Sequence, residues 1–421
     1  MKLLTKAVKG TSDLISKEAY EFRFVESIIS SIARDFGYNE IILPVFEHTE
    51  LFSRSVGQTS DVVTKEMYTF NDKSDRSLTL RPEGTAGVMR AFLEHGIFNQ
   101  TLPSKYYYNI ACYRYERPQA GRLREFHQFG IECLGAEDIS ADAEIISLAN
   151  NIFDYFDIED IELRINSIGC KDCRPQYKKA LVDYFKDHTD ELCEDCKNRL
   201  EKNPLRLLDC KVENCAKIAK DAPKITDYLC DKCKDDLTKL KSYLENMEID
   251  YVIDPTIVRG LDYYNGVVFE FVSGDIGAKS TVLGGGRYDG LSEEIGDKKI
   301  PALGFAMGME RFLLLLKEHN FQIPDDDKTD LFIAYVGEEA KAFVIEIAND
   351  LRYQGIQTQI DLNNRSLKAQ LKFADKIGAK NLIVVGEEEL KNGRAKIKNM
   401  QTKQEQEFAF CDIIEQVMKI L

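Results

Sequence analysis

The chain has 421 residues, of which 44% are hydrophobic and 30% charged, and it has no apolar run long enough to span a bilayer. This length predicts two or three domains, and the early Thr5, Lys6 and Lys9 argue against a secretory signal and for the cytoplasm. The net charge of -15 does not exclude a nucleic-acid partner, because phosphate binding depends on local basic surface.

The first elements predict an α+β fold. Apolar residues recur at helical spacing from Glu18 to Phe36, and Gly37 ends that helix. The segment EIILPVFE predicts a short strand that Pro44 confines to a sheet edge or an interface. Further strand-like segments lack the regular alternation with helices of a parallel sheet, which favours an antiparallel sheet with helices on one face. These segments are KYYYNIACYRYE, EFHQFGIECLG, VVFEFV and the stretch before GGGRYDGL.

A change of composition indicates an insertion. Eight of the eleven cysteines lie between about Gly169 and Met247 in helical-looking sequence, and strand signals return at Tyr251. Residues 169–249 are therefore predicted to be a helical insertion that interrupts a catalytic unit made of residues 1–168 and 250–325. The proline and acidic run at 323–330 predict a linker, and strands alternate with helices beyond it, so residues 328–421 are predicted to form a small α/β domain.

The segment CYRYERPQAGRLREFHQFGIECLG, residues 112–135, is dense in arginine and glutamate. Two strands joined by a loop at Pro118–Arg122 fit it, and alternation would place one set of residues on a single face: Arg114, Glu116, Phe126, Gln128 and Glu132. The planar guanidinium of arginine suits phosphate oxygens, and an aromatic ring beside it can stack on a base. Nucleotide binding is one hypothesis; a solvated, ion-paired hairpin is the other.

Three later segments are each weak evidence alone. In VRGLDYYNGVVFEF (258–271), tyrosines beside a strand are usually structural. The three glycines of TVLGGGRYDGL (281–291) allow close backbone approach, but this is neither a Walker loop nor a dinucleotide fingerprint. In ALGFAMGMERFLLLL (302–316), a small-residue strand leads into a helix that carries Arg311.

Taken together, these segments resemble the signatures of class II aminoacyl-tRNA synthetases, and of the histidyl-tRNA synthetase family in particular. The three general motifs are matched by residues 38–57 (dimer interface), 112–132 (ATP and acceptor stem) and 303–313 (phosphate binding). The histidine-specific motifs are matched by RGLDYY and GGGRYDGL. The family segment that contacts the amino acid is matched by LRPEGT. The resemblance implies a class II antiparallel sheet with flanking helices, a C-terminal anticodon-binding domain, a homodimer, and a ligase acting on L-histidine, ATP and tRNA(His).

The resemblance also implies roles for single residues. Arg114 and Arg311 would bind the ATP phosphates, Glu116 the adenine amino group, and Phe126 the adenine ring. Arg259, the implied catalytic residue, would contact the α phosphate and the histidine carboxylate. Glu132 and Tyr264 would bind the imidazole nitrogens, beside a pocket wall near Tyr288. The full implied histidine-binding set is Glu83, Gly84, Thr85, Arg114, Gln128, Glu132, Arg259, Tyr263 and Tyr264.

The reaction chemistry agrees with a cation-rich site. The histidine carboxylate is already a competent nucleophile, so attack on the α phosphate needs positioning and charge stabilisation more than a general base. Mg²⁺ with ATP would complete the positive charge. A catalytically inactive regulatory paralogue is the main rival, although such proteins lose active-site residues and the C-terminal domain. A pure RNA-binding module would leave the histidine pocket unexplained.

The cysteines have metal-ligand spacing, and a basic run lies near the C-terminus. In a reducing compartment, spacing alone leaves two alternatives, structural Zn²⁺ in one or two four-thiolate sites or reduced thiols. The candidate ligands are Cys170, Cys173, Cys193, Cys196, Cys210, Cys215, Cys230 and Cys233. The run KNGRAKIKNMQTK (391–403) and Arg365 are candidate tRNA phosphate contacts, and a solvated hairpin is the alternative.

Overall fold

The computed structural model describes residues 4–57, 60, 62–119, 121–210, 212–274, 280–324 and 329–420. It divides into two compact units, residues 1–322 and 323–421. Part of the predicted linker, residues 325–328, lies outside the described residues. Across the described residues, no helix is both long enough and apolar enough to cross a membrane.

The first unit is built on antiparallel strands. Its strands are β1 Asn39–Glu40, β2 Phe46–His48, β3 Thr69–Asn71, β4 Ser77–Leu80, β5 Ser104–Tyr113, β6 Glu125–Leu134, β7 Ile161–Ser167, β8 Val252–Ile253, β9 Asn265–Ser273, β10 Ser280–Arg287 and β11 Ala302–Gly308. Eight form one sheet in the order β1-β5-β6-β11-β10-β9-β7-β8, and the other three form a small sheet in the order β2-β4-β3. Only the edge strands β1 and β8 of the large sheet pair in parallel, and its other pairs are antiparallel.

Ten helices accompany these strands among the described residues of the first unit. They are α1 Lys17–Asp35, α2 Thr49–Ser55, α3 Thr85–Glu94, α4 Ser140–Tyr155, α5 Arg174–Lys186, α6 Glu194–Lys202, α7 Glu213–Lys220, α8 Asp231–Asn246, α9 Leu291–Ile295 and α10 Met309–Glu318. Helix α1 buries Phe22, Val25 and Ile29, as its apolar spacing predicted, and Gly37 follows it with φ +81°. Helices α5–α8 form a separate apolar cluster that includes five buried cysteines.

The second unit alternates helix and strand. Its elements are β12 Leu331–Tyr335, α11 Glu338–Tyr353, β13 Thr358–Ile360, α12 Leu367–Lys376, β14 Asn381–Val385, α13 Glu387–Asn392, β15 Arg394–Asn399, β16 Glu405–Ala409 and α14 Ile413–Ile420. The sheet order is β13-β12-β14-β15-β16, with the first three strands parallel. The predicted hairpin is the antiparallel pair β15–β16.

Two local predictions need correction. The segment EIILPVFE is not one strand, because β1 ends at Glu40 and β2 begins at Phe46, with Pro44 between them. The strand predicted through Arg114 and Glu116 ends earlier, at Tyr113. The Arg114 N–H still donates to Arg124 O at 2.9 Å, but the chain then leaves β6, because the Tyr115 N–H donates to Glu66 O at 2.7 Å. Arg114 and Glu116 therefore belong to the connecting loop.

Candidate active site

Glu132 is the centre of a buried polar pocket on β6. Its side chain is within the core, and its residue is only 1% exposed. Three hydroxyls donate to its carboxyl group, from Thr85 at 2.6 Å, Tyr108 at 3.2 Å, and Tyr288. Burial raises the pKa of Glu132 to about 8, although these hydroxyls act in the opposite direction. Burial thus shifts the carboxyl toward its protonated form around neutral pH, in which it can donate to a partner.

The start of helix α3 supplies the next wall of this pocket. The buried Glu83 carboxylate accepts from the backbone N–H groups of Thr85 at 2.7 Å and Ala86 at 2.9 Å. These are donors that a first helical turn leaves without intrahelical partners, so Glu83 fixes the helix end. Burial raises the pKa of Glu83, while the two N–H groups and Arg114 lower it.

Tyr108 fits between two glycines that leave room for its ring. A Cβ at Gly84 would lie 2.4 Å from Tyr108 Cζ, and a Cβ at Gly130 only 2.1 Å from the same atom. Any larger residue at either position would displace the ring. Because the Tyr108 hydroxyl donates to Glu132, the two glycines set the position of a pocket hydroxyl.

A tyrosine cluster completes the pocket. The Tyr263 and Tyr264 rings are 4.7 Å apart between centroids, and Tyr288 lies 5.6 Å from Tyr263 and 6.2 Å from Tyr264. All three are buried in the same core cluster as Tyr108. Burial raises the pKa of Tyr263 and of Tyr264, so both phenols stay protonated and can donate hydrogen bonds.

Arg259 lies beside this cluster. Its guanidinium is 5.2 Å from the Tyr264 ring centroid, and Nη1 donates to Glu270 on β9 at 2.5 Å. Its Nε atom is buried and, within the described part of the chain, has no hydrogen-bond partner. The guanidinium passes so close to β10 that a Cβ at Gly284 would lie 2.3 Å from Nη1. Glu270 thus holds Arg259 in place, and the buried Nε is a donor without a partner among the described residues.

A second group of arginines lies around the loop after β5. The Arg114 guanidinium is 5.2 Å from the Phe126 ring centroid, and its Nε donates to Pro82 O at 2.9 Å. Arg122 pairs with Glu116 at 3.3 Å. Arg311, on α10, donates to the backbone oxygens of Gly121 at 3.2 Å and Thr281 at 2.8 Å. Burial lowers the Arg311 pKa, and Arg122 and Arg114 lower it further, so three cations share one region.

The structure brings together the implied histidine-binding residues around Glu132, and the implied ATP-binding residues around Arg114. Gln128 lies on β6 between Phe126 of the ATP-binding group and Glu132 of the histidine-binding group, and it accepts from the Cys112 thiol at 3.5 Å. Arg117 is exposed on the loop. Arg124 stacks on Tyr115 at 4.1 Å, so its charge faces an aromatic ring outside the pocket.

Two residues of this site carried little signal in the sequence. Glu270 pairs with Arg259 and accepts from Thr281 Oγ1 at 2.9 Å, which links the tyrosine pocket to the segment that Arg311 contacts. Its signal was a single acid within the apolar strand VVFEFV. Tyr108 gave no signal of its own, because it is one of three consecutive tyrosines in KYYYNI.

The cysteines form two separate groups in the insertion. Within each group, one Sγ atom per residue lies within 4.8 Å of the others. The first contains Cys170, Cys173, Cys230 and Cys233, and the second contains Cys193, Cys196, Cys210 and Cys215. Sγ–Sγ distances of 3.6 and 3.9 Å in the first group and 3.9 Å in the second are far longer than a disulfide bond of about 2.05 Å.

Comparison with known proteins identifies the family. The family model described as histidyl-tRNA synthetase matches residues 10–312. The chain belongs to the histidyl-tRNA synthetase family. An anticodon binding domain model matches residues 330–420 of this family member. The fold prediction is confirmed, since the crystal structure of apo S. aureus histidyl-tRNA synthetase has a TM-score of 0.85 and 37% identity, covering 98% of this chain and 100% of that one.

Other members of the histidyl-tRNA synthetase family align over the whole chain. A protein of Caldanaerobacter subterraneus named histidine–tRNA ligase is 54% identical over 99% of this chain and 100% of its own length. One of Clostridioides difficile with the same name is 50% identical over 100% of both. A structure titled as an ATP phosphoribosyltransferase regulatory subunit/histidyl-tRNA synthetase from Bacillus halodurans shares the fold, but at 19% identity and a TM-score of 0.64 it shows the fold alone.

Proposed function

We propose that the chain is a histidine–tRNA ligase that activates L-histidine with ATP and transfers it to the 3′ end of tRNA(His). The observation that carries this proposal is the juxtaposition of the buried Glu132 carboxyl, whose pKa is raised, with the guanidinium of Arg259 in one tyrosine-lined pocket. Its relatives named histidine–tRNA ligase align over the full chain, which supports the same assignment.

The pocket suits an imidazole. Neutral imidazole carries one donor and one acceptor nitrogen, and the Glu132 carboxyl can give its proton to the acceptor while a tyrosine contacts the other nitrogen. Tyr264 is our candidate for that second contact. An amino acid without these two nitrogens would leave buried polar groups without partners, which disfavours it strongly. Glu83, Thr85 and Gln128 would hold the α-amino group, next to Gly84.

The arginines suit the activation step. The histidine carboxylate attacks the α phosphate of ATP, a bond to the bridging oxygen breaks, and pyrophosphate leaves. Arg259 would stabilise the charge at the α phosphate through its donors, including the buried Nε. Arg114 and Arg311 would bind the α and γ phosphates, and Phe126 and Glu116 would hold the adenine. Because Arg311 is anchored by two backbone oxygens, little reorganisation is needed when charge develops.

We also propose Mg²⁺ with ATP and Zn²⁺ in the insertion. Glu270, which pairs with Arg259 and accepts from Thr281 next to the backbone oxygen that Arg311 contacts, would hold Mg²⁺, which would add positive charge at the phosphates. Tetrahedral Zn²⁺ with Zn–S bonds of about 2.3 Å requires Sγ–Sγ distances of about 3.8 Å. The measured distances fit, and backbone N–H groups donate to Cys173 and Cys215, as they do to thiolates in such sites. Metal analysis tests this, since two equivalents are expected and less than about half an equivalent would refute it.

The partners beyond the substrates are proposals as well. The predicted interface segment 38–57 exposes Ile42 (86%), Val45 and Phe46, an apolar surface that we propose a second copy covers. Ile42→Glu should shift the sedimentation coefficient to that of a monomer, and a wild-type monomer would refute the dimer. The domain limits 1–168, 169–249, 250–325 and 328–421 also remain our proposal.

The anticodon-binding domain is the proposed tRNA reader, yet its basic hairpin is extensively ion-paired. Arg394 pairs with Glu407 at 3.2 Å and Lys398 with Glu405 at 3.3 Å. Arg365 pairs with Asp361 at 3.4 Å and stacks on Phe373. These cations would have to exchange carboxylate partners for phosphates, so we keep residues 391–403 and Arg365 as candidate contacts only.

The decisive experiment is histidine-dependent ATP–pyrophosphate exchange. Exchange should require histidine and be absent with the other amino acids; an inactive regulatory paralogue would show none. Arg259→His should lower exchange by at least about 100-fold, because it removes charge stabilisation needed in the transition state. Arg76→His, at an exposed ion pair with Asp72, is the matched control and should leave exchange unchanged. Loss of activity with loss of the folded state would not support the role of Arg259.

A further inference from the structure

We infer that the cysteine-rich insertion positions the histidine-binding turn, residues 258–264, and that its two four-thiolate metal sites keep the positioning residues in place. This inference rests on the proposed function and extends it from the pocket to the segment that supports it. The insertion lies between β7 and β9 in sequence, and three of its polar side chains contact the turn.

The first contact comes from the first metal site. Arg174 directly follows Cys173 and begins α5. Its guanidinium donates to the backbone oxygens of Ile168 at 3.3 Å and of Tyr264. One side chain therefore joins the end of β7, the first thiolate group and a residue of the histidine pocket. Displacement of Cys170 or Cys173 would move Arg174 and, with it, the main chain of Tyr264.

The second and third contacts come from the second metal site. Asn203 and Arg206 lie in the segment between Cys196 and Cys210, which are ligands of the same thiolate group. Arg206 Nη1 donates to the backbone oxygen of Arg259 at 3.1 Å, and Asn203 Nδ2 donates to the Asp262 carboxylate at 2.9 Å. The second group thus holds the turn at its beginning, while the first holds it at its end.

The catalytic unit supports the turn from another segment. The N–H of Asp262 donates to Val56 O at 3.2 Å, and a Cβ at Gly57 would lie 2.2 Å from Asp262 Oδ2. Elsewhere the insertion and the catalytic unit border a cavity of about 910 Å³ that Arg174, Asp262 and Tyr263 line. Because this cavity separates the two segments there, the insertion holds the histidine-binding turn through individual hydrogen bonds more than through continuous apolar packing.

The metal sites matter because the insertion has a small core. Five of the fifteen buried residues in its apolar cluster are cysteines, and all five belong to the two thiolate groups. A module near the lower size limit for a self-sufficient core commonly gains stability from disulfides or metals. Loss of the metal would remove the cross-links from a third of this core, and Arg174, Asn203 and Arg206 would lose their fixed positions.

The test separates positioning from general stability. Arg206→Met should keep two zinc equivalents and the wild-type melting temperature within the error of the control, yet weaken histidine binding about tenfold, the equivalent of one charge-assisted hydrogen bond. Binding is measured by calorimetry without ATP, and exchange kinetics should show the same rise in the histidine KM with kcat reduced less than twofold. Arg206→Lys retains one donor for a carbonyl oxygen and should recover most of the affinity. Lys217→Met removes an exposed cation of the same insertion, paired with Glu213, and should change nothing.

The metal arm uses single cysteine variants. Cys193→Ser and Cys170→Ser should each lose about one zinc equivalent and weaken histidine binding at least as much as Arg206→Met, whereas Cys411→Ser, an exposed cysteine outside both groups, should do neither. Unchanged histidine affinity in Arg206→Met, or in a folded Cys193→Ser protein that has lost its zinc, would overturn the inference. Failure of the proposed function would give a different result, because the wild-type protein itself would then neither bind histidine nor catalyse ATP–pyrophosphate exchange.

Discussion

The buried carboxyl of Glu132 should make the stability of β6 depend on pH, and Glu132→Gln should remove that dependence. The pKa of Glu132 is raised from 4.5 to about 8, so the native state holds a proton that the unfolded chain releases above pH 4.5. Stability contributed by this group is therefore fully present below pH 4.5 and is lost as pH rises through about 8. Glutamine has the same shape and, like the protonated acid, offers one acceptor and a donor without titrating.

The magnitude follows from linkage. Each pKa unit corresponds to about 1.4 kcal/mol, so a shift from 4.5 to about 8 costs the protein about 5 kcal/mol once the group must ionise. Between pH 6 and pH 8 the wild-type protein should lose about 2.3 kcal/mol relative to Glu132→Gln. In equilibrium terms this is a change of about 50-fold in the opening of β6.

Hydrogen exchange on peptides from β6 measures this opening without requiring the two units to unfold together. The ratio of protection factors, wild type over Glu132→Gln, should fall with each pH step from 6 to 8. Peptides from β14 in the other unit are the internal control, and Glu213→Gln, at an exposed surface pair, is the control variant. A ratio that stays constant from pH 6 to 8 would refute the assignment of a protonated Glu132.

Two further predictions concern the arginines. Gly284→Ala should reduce histidine-dependent exchange about 100-fold, because its Cβ would lie 2.3 Å from Arg259 Nη1 and displace that guanidinium. The control is Gly274→Ala, whose Cβ meets open space and which should keep wild-type exchange. Equal activity of the two variants would contradict the close approach of Arg259 to Gly284. Arg311→Gln should raise the KM for ATP and lower exchange by about 100-fold. Histidine affinity, measured by calorimetry, should stay at the wild-type value. A selective loss of histidine affinity would mean that Arg311 contacts histidine and not ATP.

Much of the fold could be predicted because its signals were local. The apolar spacing of α1 and the alternation of strands and helices after residue 330 both depend on neighbouring residues only. The end of β5 could not be predicted, since the Arg/Glu alternation continues past Tyr113 while the N–H of Tyr115 donates to Glu66 O in a distant segment. The gap between strands in EIILPVFE also depends on distant segments, because β1 belongs to the large sheet and β2 to the small one.

The site also contains residues that could be predicted from local sequence and residues whose position depends on distant segments. Residues inside distinctive segments, such as Arg259 and Tyr264, could be singled out from the sequence, although their roles remain proposals. The hydroxyl of Tyr108 could not, because its position depends on two distant glycines that leave space for the ring. The pairing of the cysteines into groups was also beyond the sequence: Cys170 and Cys230 are 60 positions apart, and only the folded helices bring their Sγ atoms to 3.9 Å.

The position of the insertion has a consequence for how a newly made chain folds. Strands β7 and β9 are neighbours, but residues 168–264 separate them, so the sheet closes only after a long loop has been brought together. The metal bridge that we propose from Cys170 and Cys173 to Cys230 and Cys233 would shorten the open loop from about 100 to about 35 residues and lower the entropy cost of closure by about 1 kcal/mol. Zinc bound at this proposed site during synthesis would hasten the pairing of β7 with β9 and shorten the time for which their unpaired edges are exposed to aggregation.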